Sequence, residues 1–299
     1  MNVSAKGERP AAILAKADPT SPCIVATGRE TLAIRSAITF AGRDIAAGTL
    51  ISMPNILEPG GDYGVMAGSG GVLGVERLTA MPDAVMLLAG FHFAPGGNAP
   101  ARAGGDDVPA INPYSVWDIN FRPTCPDPRG MAFIPPRNCW ADIYLTAADH
   151  LANGTSQFGV KIADGDDPPE NPAGKRFKTF DYDAACAVVA HHGKSLLSFE
   201  DFIAAAYGVS EKTACSDDPE VTGLDAARTS KFGLMQATGN LWQWGHDGDP
   251  DKPRASFFGG SWLHGGNAGS RYAYVAYIWP DNSCEDFGAR GRSDHLQLG

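Results

Sequence analysis

The chain has 299 residues, a formal net charge of -10, 43% hydrophobic and 19% charged residues. That length buries a sizeable core and accommodates two domains, and that composition excludes wholesale disorder. The acidity, spread without any Lys/Arg block, excludes a phosphate-binding face, so no nucleic-acid partner is expected.

The 36 glycines and 22 prolines predict many turns and short strands. The six cysteines contain no C-x-x-C pair, so zinc and redox spacings are absent and buried free thiols are expected. Residues 1–22 carry Lys6, Arg9, Lys16 and Asp18 and lack an apolar core, so they read as a loose arm and not as a signal peptide. No apolar run reaches membrane-spanning length, and no membrane insertion is expected. A soluble chain made in a cytoplasm is the expectation.

From Leu32 to Phe40 the pattern alternates. Leu32, Ile34, Ile38 and Phe40 share one side, which predicts a half-buried strand. Thr49–Ser52 is a second short strand. The Gly68–Gly71 cluster is a turn and not a phosphate loop, because the required Lys and following helix are missing. Ala84–Phe93 predicts a buried strand, with His92 as a hydrogen-bonded core residue. Residues 94–110 (APGGNAPARAGGDDVPA) predict a linker and place a domain boundary near residue 100. Residues 1–100 then form a small β-rich module and residues 101–299 a second domain, an α+β organisation.

In the second part Trp140–Leu145 predicts a strand and residues 164–179 a polar loop. Tyr182–His191 predicts a helix stopped by Gly193. Ser198-Phe199-Glu200-Asp201 predicts a capped helix start, with Phe199, Phe202, Ile203 and Ala206 as its apolar stripe. In Leu241-Trp242-Gln243-Trp244 alternation places both indoles on one strand face. The last stretch, 257–296, runs from Gly259-Gly260-Ser261-Trp262 to Gly288-Ala289-Arg290-Gly291 and is rich in Tyr, Asn, Asp, Ser and Gly. That composition suits a contact surface.

The order of these words (the helix pair, FGLMQATGNLWQW, GGSW, GARG) resembles the C-type-lectin-type fold shared by formylglycine-generating enzymes and their relatives, over roughly residues 110–299. The ending is narrower. GGSW, then Gly269-Ser270-Arg271, a Tyr/Asn/Asp-rich run and GARG resemble the variable region of diversity-generating retroelement proteins. In that family a reverse transcriptase randomises chosen surface codons while the scaffold stays constant, and its phage members are tail-tip receptor-binding proteins.

The resemblance implies a division of residues. Gly259, Gly260, Trp262, Gly269, Ser270, Arg271, Gly288, Ala289 and Arg290 match the constant scaffold, with Arg271 and Arg290 as hydrogen-bonders. Leu263, His264, Tyr272, Tyr274, Ala276, Tyr277, Asp281, Ser283 and Asp286 match variable positions, and Trp279 joins them as an aromatic contact. The resemblance also implies a homotrimer, a host cell-surface protein as ligand, and a place at the virion tail tip. The N-terminal module would serve oligomerisation or attachment.

Two other readings compete. A formylglycine-generating oxidoreductase needs a copper-binding cysteine pair after the GGSW turn, and Leu263-His264-Gly265-Gly266-Asn267 supplies none. A purely structural virion part is the other, and the Tyr-rich ending speaks against it. No catalytic residue, metal or cofactor is therefore expected. Gln236 and Gln243 stand where some relatives bind calcium, and a neutral amide gives a hard cation no carboxylate.

Overall fold

The computed structural model describes residues 14–68, 72–82, 86–277 and 279–297. Most of the arm expected at 1–22, the Gly-rich turn at 69–71 and the start of the Ala84–Phe93 run lie outside them. Eighteen strands and three short α-helices are built among the described residues, so the fold is β-rich. None of those helices is long and apolar enough to cross a membrane.

The N-terminal part is a set of small sheets. Strands β1 (Leu14–Lys16), β4 (Ile38–Phe40) and β5 (Arg43–Ile45) form one, and β2 (Ile24–Ala26) with β3 (Leu32–Ile34) another. The single strand expected over Leu32–Phe40 is thus two. The alternation is right about burial, with Leu32, Ile34, Ile38 and Phe40 all inside. The chain bends at 35–37, where Arg35 N donates to Cys23 O, and its two halves pair in different sheets.

Strands β6 (Gly61–Ala67), β7 (Leu73–Arg77) and β8 (Leu87–Ala94) follow. Every residue of β8 is buried, as its unbroken apolar run requires. His92 within it hydrogen-bonds Asp62 and Tyr144, each at 3.0 Å, a satisfied core histidine. Strands β9 (Ala110–Ile111) and β10 (Trp117–Asp118) also pair with β8. Sheet pairing therefore runs past residue 100. The 94–110 segment between is packed and not tethered loosely: Gly104 N donates to Gly208 O and Gly105 N to Ala226 O.

The larger sheet carries the rest. It runs β11 (Met131–Ile134), β12 (Cys139–Asp142), β18 (Gly291–Asp294), β13 (Ser195–Ser198), β14 (Trp242–His246), β15 (Ala255–Phe258) and β16 (Ala273–Tyr274), with β17 (Phe287–Ala289) parallel to β14. Helix α1 (His150–Asn153) is a single turn. Helix α2 (Tyr182–Ala190) starts where Asp181 accepts from Ala184 N at 3.0 Å, and Gly193 follows it at φ +69°. Helix α3 (Phe199–Ala205) opens on a full capping box between Ser198 and Asp201. Of its apolar stripe Phe202 and Ala206 are buried, while Ile203 stays exposed.

Two buried cations stitch this sheet. Lys194 Nζ meets Asp142 at 2.7 Å with both side chains enclosed. Burial pushes the Asp142 carboxyl up, and Lys194 opposes that shift. Arg290, fully buried, donates from all its N–H groups into a cage of oxygens. These are Gln243 Oε1 (3.0 Å), the carbonyls of Asp142 (2.8 Å) and Ile143 (2.6 Å), and those of Met235 (2.7 Å) and Gln236 (3.3 Å). Burial pushes the guanidinium down to about 9, which still leaves it charged at neutral pH. Arg290 is the scaffold hydrogen-bonder expected from the sequence. Arg271 is not: it is exposed and has no side-chain hydrogen bond among the described residues.

Candidate functional site

The stretch 257–296 leaves the sheet after β15, re-enters it briefly at β16 and returns to it at β17 and β18. Gly259 and Gly260 turn it out of the sheet at φ +95° and +76°. A Cβ at Gly260 would meet Asn267 O at 2.5 Å, so only glycine lets the loop close on itself there. Trp262–His264 form one 3-10 turn. Trp262 lies half-buried against Leu145, Ile162 and Leu241. The base of the loop is held from outside: Ser270 donates through N and Oγ to Glu211, and Lys212 N donates to Ala268 O.

The chain then re-enters as β16, with Tyr274 opposite Phe257 and Ala273 opposite Phe258. Ala276 N donates to Ser256 Oγ at 2.9 Å and Tyr277 N to Ala255 O at 2.6 Å. These bonds hold the segment by its backbone. The side chains are left free to differ, since their identity is not what fastens them.

Half of the expected contact residues point outward. Leu263 (53%), Tyr274 (56%) and Trp279 (60%) are well exposed, and so are His264 and Asp281. Tyr272, Ala276, Tyr277 and Ser283 are half-buried. Aromatic contacts join many of them into one surface. Tyr274 stacks on Phe257 at 4.8 Å, Tyr277 meets Phe257 edge-on at 4.5 Å, and Trp279 meets Tyr277 at 5.6 Å. Trp242 connects His264 at 5.3 Å to Tyr274 at 5.6 Å.

Asp286 is different. It is 5% exposed, below the face and not on it. Its carboxylate accepts from Ser261 Oγ at 2.8 Å, and its backbone oxygen from Trp242 N. Burial raises the carboxyl, opposed by the Ser261 hydrogen bond and by His264. Ser283 is also used from within, its Oγ accepting from Phe180 N at 2.9 Å.

The sequence reading missed the floor of this face. Trp242 and Phe257 are core residues, yet they carry the exposed rings. Val275 is a further missed member, 43% exposed. The signal was available for Trp242: it begins its strand, next to the turn that displays His264. At one edge Asp166, Asp218, Glu220 and Glu285 gather, and burial together with their mutual repulsion raises the Asp218 carboxyl.

Ser261, His264 and Asp286 converge, but Ser261 sits between the other two and is fully buried. Its hydroxyl cannot reach a substrate, so this is no nucleophilic triad. Ser293, Asp294 and His295 do not converge either. Ser293 bonds Thr124 and Cys125 N, Asp294 pairs with Arg292, and His295 stacks on Trp140. Both glutamine amides that stand where some relatives bind calcium are engaged by protein groups, Gln243 by Arg290 and Ala237, Gln236 by Gly223 and Val221. Among the described residues no three His, Cys, Asp or Glu side chains group as metal ligands.

No family model matches the chain. It is 35% identical to a tail fiber receptor-binding protein of Bordetella phage BPP-1, over 95% of this chain and 84% of that one. The solved structure of the Major Tropism Determinant U1 variant superposes with a TM-score of 0.87 at 34% identity, covering 96% of this chain and 87% of its own. The M1 variant gives the same TM-score of 0.87 and 34% identity over 97% and 87%. The fold is therefore that of the tropism determinants. The chain belongs to the family of retroelement-diversified phage tropism determinants, the tail fiber receptor-binding proteins.

Proposed function

We propose that this protein binds a host cell-surface protein through the face formed by Leu263, His264, Tyr272, Tyr274, Val275, Tyr277 and Trp279, at the tail tip of a phage. One observation carries the reading: a continuous aromatic surface stands exposed on a rigid core floor. Aromatic anchors dominate protein interfaces, and large exposed apolar patches mark them. The relatives are receptor-binding tail proteins and not enzymes, which supports a binding role without chemistry.

The same reading makes the exposed members of the expected variable set the diversified contacts, with Ala276, Asp281 and Ser283 at the margin. It makes the small N-terminal sheets, within residues 1–100, the attachment or oligomerisation module of an α+β chain. It makes the assembly a homotrimer, which would gain avidity from several weak sites. Light scattering that gives three chains per particle tests the last point.

The direct test is adsorption. The Tyr274→Ala/Trp279→Ala variant is expected to lose binding to cells susceptible to the parent phage while melting as the parent does. Retained adsorption would refute the face. Sequencing the DNA around the gene gives a second test. A near-copy of the codons for 257–296, differing where the copy has adenine and lying beside a reverse transcriptase, is expected.

A further inference from the structure

We propose that Asp286 sets the hydrogen-bonding character that His264 shows to a ligand, acting through Ser261 as a buried positioning residue. Its consequence for specificity rests on the face described above, but the proton placement itself belongs to the free protein.

The geometry is a short relay. Ser261 Oγ lies 2.8 Å from Asp286 Oδ2 and 2.6 Å from His264 Nδ1. His264 and Asp286 are themselves 3.7 Å apart, too far for a direct hydrogen bond. An ionised carboxylate only accepts, so the single Ser261 proton goes to Asp286. Ser261 Oγ then offers a lone pair to Nδ1, which must carry a proton to make the 2.6 Å contact. A neutral imidazole has one N–H, so Nε2 is left bare, on a side chain that is 40% exposed. His264 thereby meets its partner as a hydrogen-bond acceptor.

One group pulls the other way. Trp242 Nε1–H lies 3.2 Å from the same Nδ1, and an indole only donates, so it favours a bare Nδ1. The Ser261 contact is shorter and its chain ends on a charge, and charge-assisted hydrogen bonds are about twice as strong as neutral ones. The relay therefore prevails while Asp286 is present. An apolar residue at 286 frees the Ser261 proton for Nδ1, where it joins the Trp242 N–H, and the imidazole proton moves to Nε2. His264 then presents a donor. Two positions of the diversified set are thus coupled. One of them is buried, and it decides which partner groups the other accepts: N–H or O–H donors here, carbonyl or carboxylate acceptors after substitution.

Nitrogen-15 NMR of the imidazoles in the free protein, near pH 8 and so above the usual histidine range of about 6.5, reads this directly. A His264→Asn sample identifies the signals. Expected are a protonated Nδ1 and a bare Nε2 in the parent, reversed in both Asp286→Ala and the bulkier Asp286→Leu. A bare Nδ1 in the parent, or a pattern unchanged in the variants, overturns the proposal. The parent spectrum decides even if a variant fails to fold. Loss of the receptor-binding reading in the adsorption test would leave this result standing, and the reverse also holds.

Discussion

Two neighbourhoods of the same stretch, 257–296, behave oppositely. Around Arg290 every donor has a partner and every partner is buried. Around Tyr274 and Trp279 the backbone is held and the side chains lie in the open. The first arrangement tolerates almost no substitution, because an unpaired buried polar group keeps its full desolvation cost. The second tolerates many, because an exposed ring contributes little to the fold. A surface can be rewritten while its host stays folded when the fastening bonds come from the main chain and the floor comes from other strands.

The comparison can be broken by substitution. Arg290→Met takes a buried donor from four carbonyls and from Gln243 Oε1, and should destabilise the protein by about 3–5 kcal/mol in urea unfolding. A smaller change would mean that the cage closes without its guanidinium. Phe257→Ala removes the floor under Tyr274 and Tyr277 and belongs near the same range, about 3–5 kcal/mol. It should cost stability and binding together. Lys194→Met leaves Asp142 buried without its partner, a loss of up to about 3–5 kcal/mol with the face untouched.

A pH series sharpens the contrast. Burial pushes His150 well below its ordinary value, so it is neutral in the fold. A depressed histidine lets the unfolded chain bind the extra proton. Stability is therefore fully present above the unfolded value of about 6.5 and falls as pH drops below it, by at most about 1.4 kcal/mol per pH unit for this group. Melting curves between about pH 7.5 and pH 5.5 should show the slope, and His150→Asn should reduce it, leaving the share of His192, His246 and His295, which burial also depresses. Trp279→Ala gives the smallest effect on the fold, within about 0.5 kcal/mol, beside a loss of binding of more than about tenfold.

Much of this was legible in the chain. The capped start at Ser198, the stop at Gly193 and the paired indoles of Trp242 and Trp244 follow from local rules, and each is where those rules put it. The bend at 35–37 was not legible, because alternation records which side chains are buried and not which strand they pair with. The burial of Asp286 was hidden for a related reason. A position expected to vary is naturally read as an exposed one, and only the fold shows that Asp286 is buried. Arg271 and Arg290 look alike in sequence, yet one is in solvent and the other is enclosed on every side. The face itself was half legible: its aromatic residues could be named, but the two core rings that join them came from other strands.

The oxygen cage around Arg290 has the shape of a cation site, with its cation covalently attached. A bound ion has an off-rate, and it leaves when the medium is diluted or a chelator is added. A tethered guanidinium does neither. The joint between the displayed face and the sheet beneath it is therefore indifferent to the ionic composition of the surrounding fluid. Its integrity travels with the gene.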